Sequence, residues 1–167
     1  EKTDAGGFVD FIIVELLHLA GGDPFAIVAD AFGDASRLCG RAGEDIFFKV
    51  GELIGPQSEM YAEKDRKLPV DVGYNRYYRR HLRIMLPAGW TVDEIGGLTI
   101  NKKLGTEGKV LAEFKSTATL EGDTLTVEAN EYYECIHVPL EQFEDYRAVI
   151  NAAADFNKQA ILLRRAK

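Results

Sequence analysis

Three residues of this chain have the types and the order that a cysteine nucleophile requires. Such a nucleophile needs a histidine base and a carboxylate that orients the base. Cys39, His81 and Asp93 follow in that order, 42 and then 12 residues apart. A reactive cysteine is typically activated at the start of a helix, whose dipole lowers the thiol pKa. Here Gly40 and Gly43 lead into a strand pattern instead, and we favour an inert thiol and a strand histidine.

The sequence offers little for a metal or a cofactor. His18, His81 and His137 are scattered, and none has a histidine partner at i+2 or i+4. No glycine array has the spacing of a phosphate-binding loop. We therefore predict no cofactor and no metal. The two cysteines, Cys39 and Cys135, can form one bridge or remain thiols, and we favour thiols.

The segment 74–83 has the most unusual composition of the chain. It holds three tyrosines, four arginines and one histidine in ten residues. Interleaved basic and aromatic side chains can stack on nucleic-acid bases, recognise a carboxylate or a sugar, or contact a neighbouring domain. The simplest alternative is a strand whose tyrosines and arginine stems cover a sheet. We favour that alternative and place a protein interface second.

The net charge and the lengths of the chain and its apolar stretches argue against some classes of function. The 167 residues carry 20 basic against 27 acidic side chains, a net charge of −7, which disfavours nucleic-acid binding. The longest apolar stretch, Phe8–Ala20, is too short to cross a membrane. We expect one domain over residues 1–167, with 1–24 either its start or the end of a preceding segment. No signal peptide precedes the first strand, so we expect a mature product or part of a longer protein.

The elements that must position these residues follow from hydrophobic periodicity. Most of the chain alternates with period two, which predicts strands. The clearest hairpin joins 110–118 to 125–129 through Glu121-Gly122-Asp123, and its return strand is predicted to point Leu125, Val127 and Ala129 inwards. One apolar stripe at helical spacing, formed by Phe143, Tyr146, Ile150 and Ala153, predicts a C-terminal helix near 140–156. We therefore predict a mainly β fold, an antiparallel β-sandwich of about eight strands, with a long loop over 51–70.

Several blocks of the sequence also resemble a known family. These blocks are Phe47–Tyr61, Arg66–Val70, Leu86–Val92, Tyr132–Arg147 and Asn151–Lys158. Together they resemble the C-terminal β-domain that follows the papain-like core of bacterial transglutaminase-like proteins, over roughly residues 25–167. The block around Gly55-Pro56-Gln57 is the most specific of them.

The resemblance implies a context rather than a reaction. It implies an exported protein of the periplasm or cell envelope, with the catalytic residues in the central core, so we assign no catalytic residue here. We expect a non-catalytic accessory domain that packs on the papain-like core, or another protein, or presents substrate to it. The residues that we expect at the contact surface are Gln57, Glu59, Tyr61, Arg66, Tyr74, Arg76, Tyr77 and Arg79.

Two alternative functions remain open. One is a free-standing glycan- or peptide-binding module, which would use exposed aromatic rings on one face, with Tyr74, Tyr77, Tyr78 and Trp90 as candidates. The other, less favoured, is a cysteine hydrolase that uses Cys39. We expect no nucleic-acid partner and no membrane span, and the sequence leaves the oligomeric state open.

Overall fold

The computed structural model describes residues 13–20, 27–30, 38–61, 66–86, 88–106 and 108–166. Their strands are β1 Ile13–Ala20, β2 Ile27–Asp30, β3 Cys39–Ala42, β4 Asp45–Phe48, β5 Val70–Asp71, β6 Arg76–Met85, β7 Trp90–Val92, β8 Asn101–Thr106, β9 Lys109–Glu121, β10 Thr124–Tyr133, β11 His137–Val138 and β12 Ile161–Arg165. Within these ranges the one α-helix, α1, spans Phe143–Asn157. Short 3-10 helices span Val50–Ile54, Gly96–Leu98 and Leu140–Gln142.

The strands pair antiparallel throughout. A six-stranded sheet has the order β2-β1-β6-β10-β9-β8, and a four-stranded sheet has the order β3-β4-β12-β7. A separate two-stranded ribbon pairs β5 with β11. At the centre of the large sheet, β10 pairs over its full length with β6 on one side and β9 on the other. The central strands β6 and β10 are therefore paired along their whole length.

The predicted hairpin is the connection between β9 and β10. Glu121 pairs with Thr124, so the turn consists of Gly122 and Asp123. Gly122 has a φ of 60°, a left-handed conformation that glycine adopts without strain. The same turn fixes the register of both strands, and Leu125, Val127 and Ala129 all point into the core as predicted.

The core lies between the large sheet and a second layer made of α1 and the small sheet. From the helix, the predicted stripe of Phe143, Tyr146, Ile150 and Ala153 is buried against the sheet. The ring of Phe156 lies 5.7 Å from that of Phe114 on β9. The small sheet adds five buried side chains to the same cluster: Ile46, Phe48, Val92, Ile161 and Leu163.

The structure confirms the mainly β fold class with antiparallel sheets and one C-terminal helix. The α-helix begins at Phe143 because Leu140–Gln142 forms a 3-10 turn instead. Within the apolar stretch Phe8–Ala20, Ile13–Ala20 forms strand β1, and residues 1–12 lie outside the described residues. The expected loop over 51–70 begins with a 3-10 helix that continues to Ile54. Among the described helices, none has the length and apolar character to cross a membrane.

Candidate binding cavity

Strand alternation divides the tyrosine- and arginine-rich segment between two faces of the large sheet. Arg80 is buried, as are Leu82 and Ile84 two and four residues further on. The side chains of Tyr77 and Arg79 lie on the opposite face, since successive strand residues point to opposite sides. The inner face of β6 therefore presents Arg76, Tyr78 and Arg80, and all three line one cavity.

Strand β10 supplies the partners of these inner residues. The register places Arg76 opposite Tyr133 and Tyr78 opposite Glu131. Arg80 Nη1 donates to Glu131 Oε1 at 2.5 Å, and the two side chains are only 5% and 4% exposed. The guanidinium of Arg76 lies over the ring of Tyr133, 5.0 Å from its centroid. A buried ion pair and a cation–aromatic pair thus stand side by side on the cavity floor.

The other walls come from α1 and from the segment between β4 and β5. Tyr146, Ile150 and Ala153 recur at spacings of four and three, so they form one helix face towards the cavity. Gly55, Pro56 and Gln57 form part of the rim. The cavity has a volume of about 480 Å³, within the range typical of small-molecule sites.

Two asparagines of α1 hold this rim segment against the helix. Asn157 Nδ2 donates to the carbonyl oxygens of Gly55 at 2.9 Å and Gly51 at 3.1 Å. The buried Asn151 accepts from the backbone N–H of Met60 at 2.7 Å. These bonds bridge about a hundred residues of chain, so the position of the rim depends on the folded helix.

The cavity is cationic within an acidic chain. The charged residues that line it are Arg76, Arg80 and Glu131, which gives 1 + 1 − 1 = +1, against −7 for the whole chain. Burial raises the pKa of Tyr133, and the Glu131 carboxylate adds to the rise. Burial also raises the pKa of Tyr146, while the Arg76 guanidinium opposes the rise. Both phenols are therefore neutral at physiological pH.

Two arginine donors in the cavity wall are unsatisfied. The Nε atoms of Arg76 and Arg80 are buried, and neither has a hydrogen-bond partner in the described part of the protein. A buried donor without an acceptor costs about 1–3 kcal/mol. Both atoms are closed off from the open space of the cavity, so this cost is part of the free energy of folding.

The structure does not gather the predicted contact residues into one surface. Gln57 and Arg76 line the cavity. Glu59 and Tyr61 lie at the C-terminal end of α1, where Glu59 pairs with Lys158 at 2.5 Å and Tyr61 donates to Asp155 at 2.5 Å.

The remaining predicted contact residues are dispersed. Arg66 donates to the carbonyl oxygen of Leu68 at 2.9 Å and lies over the ring of Phe143. Tyr74 is 69% exposed beside the cavity strand. Tyr77 and Arg79 lie on the outer face of the large sheet, where the Arg79 guanidinium lies over the Tyr77 ring.

The four aromatic rings of the alternative binding module do not share a face either. Tyr78 lines the cavity, whereas Tyr77 contacts Tyr132 edge-on across the outer face of the sheet. Trp90 belongs to β7 of the small sheet, with the guanidinium of Arg165 4.7 Å from its ring. In the described part of the chain, these rings therefore do not form one continuous aromatic surface.

The possible cysteine triad is distributed over two sheets. Cys39 lies on β3 of the small sheet, and its partial burial raises the pKa of its thiol. His81 lies in the large sheet and bonds Glu128 at 2.6 Å. Asp93 accepts from Arg164. Each member of the trio thus has a local structural setting of its own. Cys39 and Cys135 are both free thiols.

No group of three or more histidine, cysteine or acidic side chains that could hold a metal occurs among the described residues. The sequence did not indicate Glu131, Tyr133 or Tyr146 as residues of a site, although all three line the cavity; Tyr146 was predicted only as part of the buried helix stripe. One signal was present for Glu131, because it continues the inward series of Leu125, Val127 and Ala129. A charged residue at an inward strand position requires a buried partner.

Comparison with known proteins gives one family. A family described as a domain of unknown function with a solved structure, DUF3858, matches residues 45–163. No curated protein and no solved structure matches the chain significantly.

Proposed function

This chain belongs to the DUF3858 family, and we propose that it is a non-catalytic accessory domain that docks on a papain-like core in a longer bacterial protein. The resemblance to the β-domain of transglutaminase-like proteins supports this context. By the same resemblance we propose a location in the periplasm or cell envelope. The domain either packs on the core or presents substrate to it.

One observation carries the docking proposal. Among the described residues, five large hydrophobic side chains are exposed, and four of them flank the β5–β11 ribbon. Leu68 is 72% exposed, Tyr74 69%, Ile136 55% and Leu140 41%. We call these four side chains the ribbon patch. Large apolar side chains exposed around one small element are a feature of protein contact sites.

The register of the ribbon places the four chain positions in two pairs, one at each end of the ribbon. Val70 pairs with Val138, so the chain positions of Leu68 and Leu140 continue from the same end of the ribbon. At the other end, the N–H of Val72 donates to the carbonyl oxygen of Ile136 at 2.8 Å. The inward Val70 and Val138 are buried in the core, so the ribbon is anchored while its ends present apolar surface.

The test begins with the reading frame that encodes the chain. A papain-like core encoded beside it is expressed separately and titrated with the 167-residue chain by calorimetry. We expect saturable binding, weakened at least tenfold by Leu68→Asp together with Ile136→Asp. Thr119→Asp is the matched control, an exposed position on β9, and should leave the affinity unchanged within twofold.

Two results would refute the docking proposal. One is the absence of association when circular dichroism shows both proteins folded. The other is equal weakening by the ribbon variants and the control, which would mean that the contact lies elsewhere.

A further inference from the structure

We propose that the cavity between β6, β10 and α1 is a binding site for a carboxylate group attached to an apolar body, as in an organic acid or the C-terminus of a peptide. This proposal goes beyond docking on a core, and it holds whether or not a core is present. The residue that recognises the carboxylate is Arg76.

The charge balance of the cavity indicates a monoanion. Arg80 is neutralised by Glu131 at 2.5 Å. Among the described residues, no carboxylate forms an ion pair with Arg76. One uncompensated cation therefore faces a partly enclosed space, where charge interactions are stronger than in bulk water. A phosphate dianion would exceed this charge, and a metal cation would be repelled by it.

The geometry of Arg76 suits a carboxylate in particular. Its guanidinium lies over the Tyr133 ring, which uses the flat face of the group. One of its donors reaches the Tyr146 hydroxyl, and the Nε is closed off from the open space, so the remaining Nη N–H groups are the ones that a ligand can meet. A carboxylate matches the planar fork of a guanidinium with two parallel hydrogen bonds.

A second arginine lies in the same wall. The Nε of Arg80 is also buried without a hydrogen-bond partner among the described residues, in a side chain that is 5% exposed. The ion pair with Glu131 holds this side chain in place, and its Nε is closed off from the open space of the cavity. Arg80 therefore shapes the wall beside Arg76, and the contact with the ligand is left to Arg76.

The rest of the lining suits an apolar body. Ile54, Val70, Val72 and Ile150 contribute aliphatic surface, and Tyr146 contributes an aromatic wall. A volume of about 480 Å³ accommodates a group larger than an isolated carboxylate. Apolar pockets with a few convergent polar groups are the usual form of small-ligand sites.

The test compares acids with their uncharged amides on the intact chain. N-acetyl-leucine and hexanoate represent a peptide C-terminus and a free organic acid, and N-acetyl-leucinamide and hexanamide are their matched controls. Binding is followed by calorimetry and by changes in the backbone amide NMR signals of Gln57 and Ser58 at the cavity rim. We expect at least one acid to bind at least tenfold more tightly than its amide, and the tighter acid identifies the source.

Variants assign the effect to Arg76. Arg76→Gln should remove the difference between acid and amide, and Arg76→Lys should retain part of it through charge alone. Arg79→Gln is the matched control, because it removes an arginine from the same strand on the opposite face, and it should change the affinity less than twofold.

Three outcomes would overturn the proposal. The first is equal affinity for acid and amide in the wild-type protein, and the second is no binding of either acid at about 10 mM, roughly the weakest affinity that such a contact would give. The third is an equal loss of affinity in Arg76→Gln and Arg79→Gln. If Arg76→Gln fails to fold, the comparison of acid with amide on the wild-type protein still decides.

Discussion

Replacing Glu131 with glutamine should destabilise the protein far more than its size suggests. Glutamine preserves the shape of the side chain and can still accept a hydrogen bond from Arg80. What it removes is the negative charge that compensates a guanidinium in a side chain only 5% exposed. Removal of one partner of a buried ion pair typically costs about 3–5 kcal/mol. Because one hydrogen bond is retained, we expect about 3 kcal/mol, the low end of that range.

The assay is urea denaturation followed by circular dichroism. With a typical dependence on urea of about 2 kcal/mol per molar, the midpoint should fall by roughly 1.5 M. Glu128→Gln is the matched control on the same strand. Glu128 pairs with His81 at 2.6 Å, but its side chain is 43% exposed, and exposed pairs contribute at most about 1 kcal/mol.

A double variant separates charge compensation from packing. Arg80→Met with Glu131→Leu removes both charges together with the Arg80 Nε that lacks a partner among the described residues. Such replacements are often neutral or stabilising, so we expect the free energy of unfolding to stay within about 1.5 kcal/mol of wild type. The reasoning is refuted if Glu131→Gln costs no more than Glu128→Gln. That result would mean that water entering the cavity already solvates Arg80.

Two further predictions concern the rim segment and its contacts with α1. Gly51→Ala should cost at least about 2 kcal/mol in thermal or urea denaturation, because a Cβ there would lie 2.0 Å from the backbone oxygen of Phe156. Gly73→Ala, where a Cβ would have nothing within 4 Å, should cost little; equal losses would refute the steric argument. The hydrogen bond to Asp155 raises the pKa of Tyr61 to about 12. The contribution of this hydrogen bond to stability should therefore be complete below about pH 10, the ordinary pKa of tyrosine. It should be lost as the pH rises through about 12. In an absorbance titration at about 295 nm, the Asp155→Asn variant should show one tyrosine pKa that has fallen back towards about 10. An unchanged titration curve would refute that contact.

The sequence predicted the centre of the large sheet well because local signals specify it. Apolar and polar residues alternate along β9 and β10, and a glycine turn joins the two strands. Together these features determine the register of the strands and which side chains point into the core. The helix was predictable for the same reason, since its buried stripe recurs at helical spacing. These elements need no information from distant parts of the chain.

The β5–β11 ribbon, the 3-10 helix Val50–Ile54 and the cavity depend instead on contacts between residues that are far apart in the sequence. Strands β5 and β11 have two residues each, too few for a periodicity. The turn at Val50–Ile54 is stabilised by Asn157, about a hundred residues later. The cavity forms only when that segment, two strands and the helix meet, so no single stretch of sequence could reveal it.

The arginines of β6 show how the fold changes the meaning of a local charge cluster. As a linear run, 76–83 is a basic exception within an acidic chain. Strand alternation sends Arg79 and Arg83 outwards and Arg76 and Arg80 inwards. Glu131 then cancels Arg80, which leaves the cation of Arg76 beside neutral tyrosines. A cluster that in sequence resembled a broad basic patch therefore provides one directed positive charge in a cavity, and such a charge favours one small anionic group over a polyanionic surface.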